Sequence, residues 1–415
     1  MSTLLFDAAR CVRTVTTFSG CDRCVTVCPV QTMTIADNGL PAFTPADCVD
    51  CGGCVGVCPS EALSLKQFDV TEFFFSFAEN EESLMSCRKN VPCLAALSVE
   101  HLIALALVKE ERVVCDTGHC HTCPWREPLF GQILQNIEEA NHILEAIESG
   151  KRIETRDEAF EEEGIEEGVD PHDRRAFLER LSLKGAVRAK QAFDEAVEGA
   201  DDRLREHDVD LAAVAKIRQK ELPDKRKILF VALKRAPKPT RYHTIAEDDI
   251  SFASQKFIDD NCTMCQMCYR ICPTGALSSD AKNSKIYFDA MLCIKCRACH
   301  DTCEPDALHL QPTFELKEFF EPTQRLLASF RVVRCDECGV HFPSVRGERT
   351  CPRCAVEEEE ALELWGLEEN DEGVVVFKEG REVALADWRK DTESFENNWE
   401  AIVKQTNEKA KDDTK

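Results

Sequence analysis

The chain has 415 residues, a formal net charge of −25 and 25 cysteines. That charge opposes a nucleic-acid partner, because phosphates would be repelled rather than neutralised, and it favours a docking partner with a basic face. An odd cysteine number, spacing dominated by Cys-x2-Cys steps, and an opening MSTLLFDAARC without a signal peptide's basic region and apolar core set aside a disulfide scaffold. They point instead to thiolate ligation of metals in a reducing cytoplasm.

In chain order the cysteines fall into four blocks. The first, residues 11–58, holds eight. Its second half reads Cys48-x2-Cys51-x2-Cys54-x3-Cys58-Pro59, and its first half ends in Cys21-x2-Cys24-x3-Cys28-Pro29. Regular spacing would put one more cysteine at position 18, where Phe18 stands; Cys11 lies seven residues further out. Between the halves, MTI at 33–35 reads as a short strand and Asn38-Gly39 as a turn.

The second block, residues 87–123, holds Cys87, Cys93, Cys115, Cys120 and Cys123. The longest apolar run, CLAALSVEHLIALALV from Cys93 to Val108, is shorter than a membrane span and carries Glu100 and His101. A buried helix is expected there, and no transmembrane segment. Five thiols separated by a helix and a strand suit one further iron–sulfur cluster with a spare thiol. Zinc is a competing metal, and His119 and His121 could join it. The Cys-x-His pattern of a Rieske centre is not met, so each histidine reads better as a neighbour of the site or a surface residue.

From about 125 to 250 there is no cysteine. PLFGQILQNIEEANHILEAIESG and DRRAFLERLSLKGAVRAKQAFDEAVEG have helical periodicity, with the acidic EAFEEEGIEEGVDP expected as a solvated loop between them. Arg174 and Arg175 look like a twin-arginine export signal, but they lie mid-chain and are followed by Glu179, Arg180, Lys184 and Arg188. An amphipathic helix is the better reading.

The third block repeats the plan of the first. It reads Cys262-x2-Cys265-x2-Cys268-x3-Cys272-Pro273 and then Cys293-x2-Cys296-x2-Cys299-x3-Cys303, with KIYF as a strand between the two runs. Over about 50 residues it resembles the bacterial-type two-[4Fe-4S] ferredoxin family. In that family three closely spaced thiolates cap one cubane and the fourth residue of each run serves the other cluster. The resemblance implies one cluster on Cys262, Cys265, Cys268 and Cys303 and a second on Cys293, Cys296, Cys299 and Cys272. Cys303 departs from the pattern, with Glu304 before Pro305, which puts the local turn in question. In the first block, Cys48, Cys51, Cys54 and Cys28 complete one cluster. The other has Cys21, Cys24 and Cys58. Either Cys11 supplies its fourth ligand, or the site holds a three-iron cluster or an open iron; a folded-back loop reaches easily from Cys11, with Ser19 and Gly20 as the return, and this reading is favoured. In the second block, Cys93, Cys115 and Cys120 resemble the small cluster-binding delta subunit of methyl-viologen-reducing hydrogenases over about 40 residues.

The fourth block, Cys335-x2-Cys338 and Cys351-Pro352-x-Cys354, has two knuckles suited to four-thiolate coordination. Structural zinc in a zinc ribbon is favoured over a rubredoxin-like iron, because the intervening twelve residues carry only Phe342 as an aromatic.

The expected fold class is α+β. Ferredoxin-like modules are expected at 1–68 and 251–314, a five-cysteine module at 69–125, a helical acidic connector at 126–250, a zinc-ribbon-like module at 330–360 and an acidic tail at 361–415. No dinucleotide fingerprint, P-loop or nucleophile constellation is present, so no catalytic residue is assigned. The makeup is similar to multi-cluster subunits that accompany molybdenum- or tungsten-pterin dehydrogenases, hydrogenases and related reductases. That resemblance implies a relay between a catalytic subunit and other electron carriers. The cysteine blocks lead to an expectation of four [4Fe-4S] clusters, a further iron–sulfur cluster at 87–123 and one zinc, with iron as its alternative. A maturation or redox-regulatory protein, its clusters structural or sensory, is the alternative.

Overall fold

The structure is a computed structural model that describes residues 3–158 and 220–365, together with three strands between 367 and 384. The acidic loop from 159 onward, the Arg174–Arg175 pair and the second expected helix lie outside the described residues. Two units are present, Met1–Phe330 and Arg331–Lys415.

The first unit opens with β1 (Leu4–Phe6), α1 (Val12–Val15) and α2 (Arg23–Thr26). The hairpin β2 (Met33–Ile35) and β3 (Pro41–Phe43) turns at Gly39, whose φ of 77° suits glycine. Next come α3 (Gly53–Val57) and β4 (Leu63–Leu65), which returns to pair with β1 in antiparallel register. The first module is thus closed by its own two ends.

The five-cysteine region comes next as α4 (Val70–Glu79), β5 (Leu84–Met85), α5 (Val99–Val108), β6 (Val113–Asp116), α6 (Arg126–Ala146) and β7 (Ile153–Arg156). Strands β5, β6 and β7 form a parallel sheet in that order. The α6 helix and β7, expected as the start of the connector, therefore complete this α/β unit. The expected apolar helix is α5. It is buried nearly all round, packed by α4, α6 and a later helix, which is why its residues show no polar face.

That later helix is α7 (Asp224–Arg235). Beyond it, β8 (Thr244–Ala246) leads into the second ferredoxin-like module: β9 (Lys256–Ile258), α8 (Met267–Arg270), β10 (Leu277–Ser279), β11 (Lys285–Asp289), α9 (Ala298–Asp301) and β12 (Leu308–Leu310). The β9–β12 and β10–β11 pairings repeat β1–β4 and β2–β3. The unit ends in β13 (Thr313–Glu315), paired with β8, α10 (Lys317–Phe320) and β14 (Gln324–Ser329), which adds to β11. Among the described residues no helix is long and apolar enough to cross a membrane.

The second unit contains the hairpin of β15 (Arg331–Arg334) and β16 (His341–Ser344), then α11 (Pro352–Trp365). Strands β17 (Leu367–Glu369), β18 (Val374–Phe377) and β19 (Glu382–Ala384) form an antiparallel sheet in chain order.

In the first unit α7 acts as a staple. Glu61 caps its N-terminus, accepting from Asp224 N at 2.6 Å and Lys225 N at 3.1 Å. Lys225 Nζ donates to the carbonyl of Cys58. Arg226 has no exposed surface. Its Nε donates to Glu100 of α5 at 2.6 Å, Nη1 to the carbonyls of Met291 and Cys293 at 2.8 Å each, and Nη2 to the carbonyl of Phe252 at 2.6 Å. Burial alone would raise the Glu100 carboxyl, but Arg226 and then Lys225 hold it below the usual range. Breaking one side of a buried, fully bonded pair leaves a bare charge. Arg226→Met should therefore cost about 3–5 kcal/mol in the denaturant-unfolding midpoint. Adding Glu100→Leu should recover part of that loss, since the three carbonyls remain unpaired.

Next to this pair, His101 accepts from Ser98 N through Nδ1 at 3.3 Å and bonds the Ser98 hydroxyl at 2.9 Å, closing the start of α5. Burial, then the Lys225 charge, depress it to about 3. The unfolded imidazole titrates at about 6.5, so the unfolded state binds the extra proton between those values. Stability should be full above about pH 6.5 and fall as pH drops from there towards 3. His101→Asn should flatten that slope in a pH series of unfolding midpoints.

Candidate functional site

The ferredoxin-type runs use two backbone devices that their sequences only partly announce. In three of them the residues just before and just after the second cysteine have positive φ: Asp50 and Gly52 beside Cys51, Met264 and Gln266 beside Cys265, Lys295 and Arg297 beside Cys296. Left-handed residues on either side of the cysteine curl the chain and aim neighbouring N–H groups into one concavity. A second device comes after every fourth cysteine. Gln31, Glu61, Gly275 and Asp306, each three residues on, have φ between 48° and 76°. The turn after Cys303 therefore survives its displaced proline.

The run around Cys21 lacks the first device. Neither Gly20 nor Asp22 has positive φ, and Asp22 sits at −132°. Instead Cys11 begins α1, packs against Cys58 and Ala62, and is joined to the rest of the loop by Arg13, whose Nη1 donates to the Cys21 carbonyl at 2.8 Å. The loop between them reaches outward to the second module. Gly20 N donates to Asp301 Oδ2 at 2.9 Å, and the Thr16 and Thr302 hydroxyls bond at 3.1 Å in a buried contact. Phe18, where a cysteine would stand, is 69 % exposed.

All 25 cysteines are free thiols, and their mutual influence shows which gather. Burial, then Cys58, Cys21 and Cys11, pushes the Cys24 thiol up to about 12. Burial, followed by Cys48 and Cys28 against the Gly53 N–H, pushes Cys51 up to about 11. Cys54 is raised by burial and then by Cys51, Cys48, Cys24 and Cys28. Cys28 itself ends lowered: burial raises it, but the Thr32 hydroxyl and three N–H groups outweigh that. In the second module Cys262 is raised by burial and by Cys265 and Cys303, and Cys268 by burial, Cys299, Cys265 and Cys262. Cys296 is raised by burial, Cys299, Cys272 and Cys293. These influences run among Cys11, Cys21, Cys24 and Cys58, among Cys28, Cys48, Cys51 and Cys54, among Cys262, Cys265, Cys268 and Cys303, and among Cys272, Cys293, Cys296 and Cys299. Gathered thiols resist ionising unless a cation shares their charge, which is the chemistry of a site built for iron.

The groups form a succession. Cys24 raises the Cys54 thiol within the first module, and Cys299 raises the Cys268 thiol within the second. The modules meet at the Thr16–Thr302 and Gly20–Asp301 bonds and where Arg23 Nη2 donates to the Lys295 carbonyl at 2.9 Å. At the other side, Cys93 is raised by burial and then by Cys51, Cys87 and Cys120. Glycines make that approach possible: a Cβ at Gly56 would lie 2.1 Å from Ala95 O, one at Gly53 2.5 Å from Leu129 Cδ2, and one at Gly52 2.8 Å from Ala96 Cβ.

In the five-cysteine region, Cys120 is pushed up to about 11 by burial and then by Cys87 and Cys123. Cys115, on β6, is pushed up to about 12 by burial and then by Cys120. His119 Nε2 lies 4.0 Å from Asp116, and His121 packs edge-on against Phe130.

The 335–354 group is different in scale. Its four ligand sulfurs lie within 4.8 Å of one another, the only such set of donors among the described residues. Cys338 and Cys351 are 3.7 Å apart. Four sulfurs around one zinc, at about 2.3 Å each, would be separated by about 3.8 Å, so this cage is sized for a single ion. Burial would raise Cys335, but N–H groups of Cys351, Cys338 and Glu337 bring it down to about 6. Cys335 and Cys338 lie between β15 and β16, whereas Cys351 and Cys354 stand at the start of α11. Of the two Cys-x2-Cys knuckles, only the first lies in a hairpin turn.

Comparison with known families agrees with the two repeated modules. Residues 19–63 and 255–304 each match a 4Fe-4S dicluster domain model, and the chain carries two ferredoxin-like modules. No curated protein and no solved structure matches it. The matched region begins after Cys11, so the family pattern does not include that cysteine. Cys11→Ser should perturb or convert one cluster, read as changed iron content and one altered EPR signal with the others intact; an unchanged spectrum would make Cys11 a bystander.

Proposed function

We propose that this protein is an iron–sulfur electron-transfer protein, a subunit that relays electrons within or to a larger oxidoreductase complex such as a dehydrogenase, hydrogenase or reductase. The observation that carries this reading is the mutual influence of thiols from Cys93 through Cys51 and Cys54 to Cys24, beside which Arg23 bonds the Lys295 carbonyl of the second module. Bound clusters would supply one-electron transfer. The chain's own work is to hold them apart from water, in fixed order, and to set their surroundings.

Four [4Fe-4S] clusters are assigned to Cys11, Cys21, Cys24 and Cys58; Cys28, Cys48, Cys51 and Cys54; Cys262, Cys265, Cys268 and Cys303; and Cys272, Cys293, Cys296 and Cys299. In the five-cysteine region Cys87, Cys93, Cys120 and Cys123 are assigned to a further cluster. Cys115, fully buried on β6 with Cys120 as its neighbour, is the spare thiol. Cys335, Cys338, Cys351 and Cys354 are assigned to one structural zinc, held in a unit that carries no electrons.

Anaerobic purification with iron, sulfide and zinc analysis, then EPR of the reduced protein, tests this. About sixteen irons and one zinc are expected from the four cubanes and the cage, and two to four further irons from the five-cysteine site. Fewer than about twelve irons would overturn the assignment. Stable, stoichiometric copurification with a catalytic oxidoreductase subunit supports the relay, and clusters that no low-potential donor reduces would refute it.

A further inference from the structure

The duplicated modules provide an internal control, because equivalent positions can be read against each other. In the first module Leu4 of β1 pairs with Leu65 and Phe6 with Leu63. In the second, Lys256 of β9 pairs with Leu310 and Ile258 with Leu308. Lys256 therefore stands where the first module has Leu4. A second exchange accompanies it: Cys54 is followed by Val55, and its counterpart Cys299 by His300. An apolar pair in one module is a lysine–histidine pair in the other, and the two are bonded, Lys256 Nζ to His300 Nε2 at 2.8 Å.

Lys256 is 2 % exposed and Leu4 6 %. An ammonium so deeply buried needs a negative charge nearby. The other buried lysines of this unit have one: Lys295 has Glu247 at 2.6 Å, Lys225 has Glu100 at 3.6 Å and Lys109 has Glu111 at 3.8 Å. Among the described residues no carboxylate lies within 4.0 Å of Lys256 Nζ. Its surroundings are the His300 imidazole and the Phe288 ring, 5.9 Å from Nζ to the centroid, neither of which supplies an anion. What remains is the thiol group of Cys272, Cys293, Cys296 and Cys299. The Lys256 charge acts on Cys299 against the burial that raises it to about 12. From the same strand approach, two residues earlier, the buried Ser254 hydroxyl lies 3.4 Å from Cys293 Sγ.

We propose that Lys256 is a buried positioning charge that makes the cluster at Cys272, Cys293, Cys296 and Cys299 easier to reduce than its counterpart at Cys28, Cys48, Cys51 and Cys54, giving the relay a preferred electron-holding site next to the junction of the modules. This rests on the electron-transfer reading above. Reduction adds one electron from a low-potential donor and makes or breaks no bond, so a fixed positive charge acts simply by favouring the more negative product. The Ser254 hydroxyl, donated to sulfur, acts in the same direction.

The test is an EPR-monitored redox titration of the full-length, cluster-loaded protein with dithionite as the reductant. Lys256→Gln removes the charge while keeping a group that can bond His300, and Lys256→Leu with His300→Val installs the first module's own pair. Each is expected to lower the reduced-to-oxidised ratio of one cluster signal at least tenfold at fixed potential, about 59 mV for a one-electron couple. Iron content and the other signals should stay at wild-type values, and Lys256→Arg should retain the wild-type ratio. An unshifted titration in either loaded, charge-free variant overturns the proposal, as does an equal shift in Lys256→Arg. Wild-type protein that binds no cluster would instead sink the electron-transfer reading itself.

Discussion

One guanidinium ties the larger unit together. Arg226 is fully buried and all its bonds go to different places: a carboxylate on α5, and carbonyls at Phe252, Met291 and Cys293 of the second module. Its neighbour Lys225 bonds the Cys58 carbonyl of the first. Two consecutive residues at the start of α7 therefore fix two cysteine-bearing loops and the α/β unit between them. A planar, permanently charged fork suits this task in a way that lysine would not. Short cluster-binding loops have little apolar surface with which to pack. Polar bonds to their carbonyls do the work that side-chain burial does elsewhere.

A second consequence is electrostatic. The chain is strongly acidic overall, yet among the described residues its buried charges are balanced: Lys109, Lys225, Arg226, Lys256 and Lys295 against Glu100, Asp116, Glu247, Asp289 and Glu318. Surface and interior have different jobs. Acidic groups outside are hydrated and govern solubility and encounter. Inside, groups of thiols that must ionise to bind iron gain from cations in a medium of low dielectric. The same logic explains why most of these cations retain a carboxylate: the charge is needed near the sulfur, but seldom in full.

Much of this was legible in the sequence, and for a definite reason. Ligand spacing is imposed by local geometry, so Cys-x2-Cys-x2-Cys-x3-Cys announced both modules. Cys93–Val108 announced a buried helix because no face of it is polar. The cage at 335–354 was legible as four thiols but not as a hairpin joined to a helix, since spacing alone does not say which element the second pair begins. The residues that position the sites were not legible at all. Glu100 looked like a reason to reject a membrane span, and nothing nearby marked Arg226, more than a hundred residues away, as its partner. Likewise α6 and β7 read as connector because a parallel strand without alternation carries no signal of its neighbours.

The two modules differ most where they have different obligations. Both keep the turn three residues after each fourth cysteine, which shapes the cluster loop itself. They diverge at the first cysteine of the first run. There the chain detours from Cys11 through Thr16 and Gly20, and that detour makes the bonds to Thr302 and Asp301. The residues between Cys11, at the head of α1, and Cys21 are the joint between modules. The irregular spacing thus coincides with a second task, since the same segment begins at a thiol packed on Cys58 and grips the loop of the other module.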